Sequence, residues 1–388
     1  MKQRLWLLLL LMSSPVFAAD LPSKTDISLL QEVGRAQERG LNWLVKQQEK
    51  DGSWRHHPAI TGLAVTAIYR SGKDLAAEPK DAAQRGLAYI LTCVKPTGAI
   101  FGGGENDKYP NYSTAICMMA LLASGDAKHT ETIRHARKFL LDLQSDEGEG
   151  LTAADASYGG VGYGRRGRPD LSNSAWAYEA LRLTDSLDTR AEDSPNKTGG
   201  LHWQKAIAFI ERCQNLPSHN DQPWAKNATD TDLGGFAYMP GFSFVNEEEH
   251  QPQDGKSPLR SHGSISYAGL KSFIYAELHK DDPRVQAVMT WLGRNYTLDE
   301  NPGMGKQGLY YYLHLMTKAL TAYGADTFQT ADGKVHDWRY DLLKKFVQLQ
   351  RADGFWQNDN NRFWENDPVL VTSYSLLAIE IIQKRTYP

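Results

Sequence analysis

Apolar and polar positions along the chain fall into two alternating kinds of helical stretch. In the first kind, apolar residues recur at helical spacing while Lys, Arg, Glu and Gln occupy the opposite face, and a glycine-bearing stop follows. The second kind is rich in small residues and apolar nearly all round: Gly62–Tyr69, Ser113–Leu122, Leu171–Leu183, Ser264–Leu278, Gly308–Tyr323 and Val369–Ile382. A helix that is apolar on every side is a buried one, whereas the first kind has a face for water. Six solvated and six buried helices in alternation predict an all-α fold, an (α/α)6 toroid with six inner and six outer helices. An open solenoid of helical hairpins is the rival, with a more regular period and capped ends.

The outer stretches repeat. The first reads Arg39-Gly40-x-x-Trp43-Leu44-x-x-x-Gln48-x-x-x-Gly52-x-Trp54. The second keeps Arg85, Gly86, Tyr89, Ile90 and Gly98, and the third Ala136, Phe139, Leu140, Gln144 and Gly148. The fourth has Phe209, Ile210 and Gln214, with its glycine lost or displaced by an insertion. Weaker copies centre on Trp291 and on Phe346, the latter with Gln350, Gly354 and Trp356. Their anchoring aromatics lie 46, 50, 70, 82 and 55 residues apart, a period near fifty with two insertions.

Connections from inner to outer stretches are mostly short, and those from outer to inner are long. In an alternating ring every long loop then falls on one end, beside the N-termini of the inner helices. Long loops in a compact domain are usually functional, and helix N-termini offer unpaired N–H groups and positive dipole ends. That end is the expected functional mouth.

Composition adds three constraints. The 388 residues carry 43 Lys and Arg against 46 Asp and Glu, which argues against a nucleic-acid binder. Lys2 and Arg4, the apolar run Leu5–Met12 and then Val16-Phe17-Ala18 form a secretory signal pattern cleaved before Ala19. Residues 1–18 are therefore expected to be removed, leaving 19–388 as one exported toroid domain, periplasmic or secreted. No other window approaches the roughly 20 apolar residues of a membrane helix, so no transmembrane anchor is expected. Cys93, Cys117 and Cys213 are too few and too scattered for a disulfide framework. Finally, 10 Trp, 18 Tyr and 12 Phe are more rings than the repeat anchors use.

The spacing of Arg39, Gly40, Trp43, Leu44, Gln48, Gly52 and Trp54 resembles the QW repeat of triterpene cyclases. With the paired-helix pattern, the whole mature chain resembles the squalene cyclase and protein-prenyltransferase β-subunit superfamily of toroids. The run Tyr158–Gly164 ahead of Arg168-Pro169-Asp170-Leu171-Ser172-Asn173 is similar to exported members of this repeat family. The resemblance implies a central cavity and an isoprenoid ligand. Cyclases of this kind use an Asp-x-Asp-Asp motif whose central acid stays protonated and protonates an alkene. The nearest match, Asp230-Thr231-Asp232-Leu233, lacks the last Asp. Asp230, Asp232 and Asp155 are thus the candidate acids, with a solvated acidic turn as the plain alternative. The family's prenyltransferases bind zinc through Asp, Cys and His. Here no Asp-x-Cys pairing occurs near an inner helix, and no metal or other cofactor is expected.

The remaining candidates lie in the mouth loops and on the inner helices. Arg165, Arg166, Arg168 and Arg362 could hold a diphosphate or carboxylate, or could simply brace loops. His262, Trp176, Tyr267, Tyr311 and His314 could line an aromatic cavity, or could pack between helices. The resulting expectation is a toroid that binds a small-molecule or lipid-like ligand, with acid-initiated cyclisation, an isomerase reaction, as the implied chemistry. A polysaccharide lyase or hydrolase and a non-catalytic binding protein are the alternatives.

Overall fold

The computed structural model describes residues 24–72, 76–102, 109–165, 167–187, 201–245 and 256–384. The signal pattern and Arg166 lie outside them. Twelve α-helices alternate along the described chain. The outer six are α1 (Lys24–Lys46), α3 (Ala77–Thr92), α5 (Thr130–Leu141), α7 (Trp203–Glu211), α9 (Pro283–Arg294) and α11 (Trp338–Leu349). The inner six are α2 (Pro58–Arg70), α4 (Pro110–Ala123), α6 (Leu171–Leu183), α8 (Gly263–Tyr275), α10 (Leu309–Tyr323) and α12 (Pro368–Lys384). Each inner helix packs on the next, and α12 packs back on α2. The ring is closed, so the expected (α/α)6 toroid is what forms and the open solenoid is not. The connection from α10 to α11 is not short: it holds an antiparallel hairpin of β1 (Phe328–Gln329) and β2 (Val335–His336).

Polarity places the helices. Residues 58–68 of α2 are all buried, whereas α5 buries only Ile133, Ala136, Arg137, Phe139 and Leu140. Stripping water from an apolar helix surface is the main driving term, at roughly 25 cal/mol per Å².

The repeat residues are the joints of the ring. Gln48 Nε2 donates to Gly52 O of its own repeat and to Ala82 O of the next, both at 2.8 Å. Gln214 does the same to Gly234 O and Arg284 O, and Gln350 to Gly354 O and Ala36 O. The glycine then lets the chain turn with positive φ against the following outer helix. The residue two further on donates its N–H to a hydroxyl of the inner helix, as in Trp54 to Thr61 and Phe236 to Ser266. Trp54 and Trp356 are fully buried and donate their ring N–H to Leu44 O and Phe346 O. This wiring corrects the third repeat. Gln144 reaches Gly159, fifteen residues on, rather than Gly148. In the fourth, Gly234 fills the role at a separation of twenty. The insertions therefore lie inside the joint, between glutamine and glycine, and leave its hydrogen bonds in place.

Candidate functional site

The first two turns of the inner helices and the loops above them enclose a cavity of about 400 Å³. Ile60 and Leu63 come from α2, Ile116 from α4, Ser172 and Trp176 from α6, Tyr311 from α10, and Leu370 and Tyr374 from α12. The loops supply His57, Tyr109, Tyr163, Tyr238, Phe244, His262, Phe363, Trp364 and Glu365. The cavity thus sits at the N-terminal ends of the inner helices, the end to which the loop lengths pointed. Its rim is aromatic: Trp364 meets His57 and Tyr109 edge-on, and Phe363 meets Phe244. Phe363 and Trp364 are both more than two-fifths exposed, and both have left-handed φ near +60°. That backbone is strained for non-glycine residues and turns the two rings over the opening. An ion pair from Arg55 to Asp367, at 2.8 Å, ties this rim segment to the loop before α2.

Hydroxyl groups form the next layer. Tyr112 donates to Ser172 Oγ at 2.7 Å, Ser172 and Tyr311 are bonded at 2.8 Å, and Tyr163 and Tyr238 at 3.1 Å. Burial pushes the phenols of Tyr112, Tyr163, Tyr238 and Tyr311 above their ordinary range, so all four stay neutral. His262 is buried, and burial pulls its imidazole down to about 3. Its Nδ1 faces Ser264 Oγ at 3.3 Å, and its Nε2 has no hydrogen-bond partner among the described residues.

Among the described residues, one carboxyl group lines the cavity. Glu365 is 1% exposed and accepts N–H groups from Tyr310 and Tyr311 at the start of α10, and from Asn358 Nδ2. Burial nevertheless prevails over those bonds and pushes its carboxyl up to about 7. Just behind the lining, Asp170 caps α6 by accepting from Asn173 N at 2.8 Å, and burial pushes it up to about 6. Under the floor, Glu179 pairs with both Lys271 and Lys318, all three buried, and Lys318 lies 4.5 Å from the centre of the Trp176 ring. Burial pulls Lys318 down to about 8 despite that partner.

The predicted residues divide accordingly. Trp176, Tyr311 and His262 line the cavity. Tyr267 packs on Tyr312, and His314 lies between Trp176 and Tyr374, both among core side chains outside the lining. Arg165 is exposed, Arg168 donates to Pro240 O at 2.6 Å, and Arg362 lies over the Phe244 and Phe363 rings, so these arginines brace or flank the loops.

None of the three acid candidates lines the cavity. Asp155 is exposed, and its bonds from Thr152 hold it below the ordinary carboxylate range. Asp230 is exposed as well. Asp232 is buried but accepts from Ser261 N at 2.8 Å and pairs with Arg260 at 3.1 Å, as a brace for its loop. Solvated or ion-paired carboxylates away from the cavity are not placed to keep a proton over a ligand. Glu365 stands in one of the expected mouth loops but was not among the candidate acids, because its signal is tertiary: nothing local marks a loop glutamate as the cap of a helix more than fifty residues earlier.

Residues 58–203 match the family model of the squalene-hopene cyclase C-terminal domain. No curated protein matches the sequence. Among solved structures, the chain is similar to a variant of the type II terpene cyclase MstE from Scytonema in complex with geranylgeranyl dihydroxybenzoate. The identity is 10%, the TM-score 0.53, and the alignment covers 93% of this chain and 100% of that one. It is also similar to an α-1,6-mannanase of Salegentibacter sp. HEL1_6 in complex with α-1,6-mannotriose, at 8% identity and a TM-score of 0.52, covering 90% and 99%. A glycosidase variant in complex with glucose matches at 12% identity and a TM-score of 0.51, covering 95% and 100%. At such identities the likeness concerns the fold, which terpene cyclases and glycosidases share. The closed ring and its glutamine joints, with the family match over residues 58–203, show an α/α toroid like that of the squalene cyclases.

Proposed function

We propose that the protein is an exported toroid that binds an elongated, largely apolar, isoprenoid-like ligand and acts on it as an acid-initiated cyclase, with Glu365 as the acid. The observation that carries this is a buried carboxyl group, held near neutrality by burial, in the wall of an aromatic cavity. A carboxyl with that proton affinity is substantially protonated at pH 7, and ring faces attract the positive charge that alkene protonation creates. The cavity volume also falls within the usual range for small-molecule sites. Carbohydrate cleavage fits less well. Hydrolysis ordinarily uses two carboxyl groups facing one bond, and Glu365 is alone among the described lining residues. A lyase acting on a uronate needs a cation beside it, and no Lys or Arg is among those residues. Export rests on the N-terminal pattern. An N-terminus other than Ala19 on protein recovered from outside the cytoplasm would contradict the cleavage site.

The decisive experiment incubates purified mature protein with squalene, C15 and C20 isoprenoids, acidic polysaccharides and α-mannan, and analyses the products. Cyclised isoprenoid is expected. Glu365→Gln should lower its formation by roughly 100-fold or more, while an Asp230→Ala/Asp232→Ala double variant keeps it. Full turnover in the Gln variant refutes the acid assignment, and products from a polysaccharide alone refute the isoprenoid reading.

A further inference from the structure

An isomerisation that opens with protonation must close with the loss of a proton, and Glu365 supplies only the first event. A second carboxyl group stands near the same space. Asp170 is 1% exposed and caps α6 by accepting from Asn173 N at 2.8 Å and Asn173 Nδ2 at 2.7 Å. It does not itself line the cavity. Tyr238, whose hydroxyl is beside the Asp170 carboxyl, does line it and is half-buried, as is Tyr163, bonded to Tyr238 at 3.1 Å. Backbone bonding fixes this placement, because Tyr238 O accepts from Leu171 N, the residue after Asp170, at 2.9 Å. Tyr311 ties the two carboxyl groups to one space. Its N–H donates to Glu365 at 2.7 Å, and its hydroxyl meets Ser172, two residues after Asp170, at 2.8 Å.

We infer that Asp170 accepts the proton that ends the reaction, and receives it through the Tyr238 hydroxyl. This rests on the acid-initiated reading above and extends it to the last step. The cation left by ring closure gives a β-hydrogen, as a proton, to Tyr238 Oη while the Tyr238 O–H proton passes to Asp170. A phenol can serve at both ends, because its oxygen accepts while its O–H donates. The C–H bonding pair becomes the C=C bond of the product. Glu365 has then lost one proton and Asp170 has gained one, so the conversion is redox-neutral, and exchange with water resets both groups.

The order of proton affinities suits these roles. Burial holds Glu365 at about 7 and Asp170 at about 6, so between those values the acid keeps its proton while the acceptor has lost its own. Among the described residues, the titratable groups that bear on Asp170 do not change charge in that window. The phenols of Tyr112 on α4, Tyr311 on α10, and Tyr163 and Tyr238 in the loops stay neutral, as does the buried thiol of Cys213 after α7. Arg168, on the loop that leads into Asp170, is exposed and donates to Pro240 O.

The test follows the products formed from squalene, farnesol and geranylgeraniol by the wild type, Asp170→Asn and Tyr238→Phe. The wild type should give a cyclic alkene. Asparagine caps a helix as well as aspartate does but cannot take the proton. Tyr238→Phe leaves the cap untouched, so a folding defect in the first variant does not obscure the second. In both, the cation should persist until water captures it or another hydrogen is lost. Cyclic alcohol and isomeric alkenes should then rise against the wild-type alkene by about tenfold or more, while consumption of substrate falls far less than in Glu365→Gln. In the wild type the alkene share should rise as pH climbs through about 6, a dependence absent from Asp170→Asn. A wild-type product ratio kept by both variants overturns the inference, and a change in one alone overturns the route that joins them. If the wild type gives no cyclic product, the acid-initiated reading itself falls, and this assignment falls with it.

Discussion

Glu365 and Asp170 each carry a proton more tightly in the folded chain than an ordinary carboxylate does, Glu365 to about 7 and Asp170 to about 6. The sign of their pH effect follows. A raised folded pKa contributes stability that is fully present below the unfolded value near 4 and is lost as pH climbs through the folded value. Each group contributes at most about 3 to 4 kcal/mol in this way. Between pH 4 and 7.5 the wild type should therefore lose stability relative to Glu365→Gln, with the gap changing most between pH 5 and 7. Denaturant titrations of both proteins across that window measure it, and parallel curves would show that Glu365 does not titrate as described. Gly159 gives a second expectation at this scale. Its φ is +88°, and a Cβ there would lie 1.8 Å from Lys205 O. Gly159→Ala should cost at least about 2 kcal/mol, whereas Gly150→Ala, at a similar φ but with open space around it, should cost less.

At the scale of elements, the joint between hairpins has more influence than any helix's own propensity. Gln214 is fully buried, and its amide satisfies two carbonyls, one in each of two successive repeats. Gln214→Ala leaves both without that donor and should cost about 1 to 3 kcal/mol. Gln214→Glu should be worse, because a carboxylate cannot donate to either carbonyl. Urea denaturation midpoints compare the two. These joints also explain what could be read in advance. The Gln48–Gly52 and Gln350–Gly354 copies keep their partners four residues apart, so spacing alone reveals them. In the third and fourth copies insertions separate the partners, and Gly148 stood at the expected distance without the expected role. The inner helices were legible throughout because burial on all sides leaves a plain compositional trace. The site was much less so. Trp176 and Tyr311 lie on inner helices and could be found from those helices, but Tyr109, Tyr163, Tyr238, Phe363, Trp364 and Glu365 gain their positions only when long loops fold over the mouth.

Over the whole molecule, closure is the property that matters. α12 packs on both α10 and α2, so no inner helix has a free flank. An open array can lose a terminal repeat and keep the rest, since each unit depends only on its neighbours. A closed ring cannot. Removing residues 368–388 deletes α12, exposes the apolar flanks of α2 and α10, and takes away the cavity wall formed by Leu370 and Tyr374. The truncated chain should lose cooperative thermal unfolding entirely, as calorimetry would register. A sharp transition displaced by only a few degrees would show that the ring behaves as a string of independent hairpins.

The ion trio below Trp176 sets a limit on what this cavity can become. Many apolar pockets lengthen when a large residue at their end is trimmed, because the space behind it is hydrocarbon. Here the space behind holds two ammonium groups and one carboxylate. Trimming Trp176 to alanine would open the pocket onto charge, and water would follow. Such a variant should take no longer ligand than the wild type and should bind the original one less well, so the tryptophan acts as a fixed end stop that substitution can break but not move.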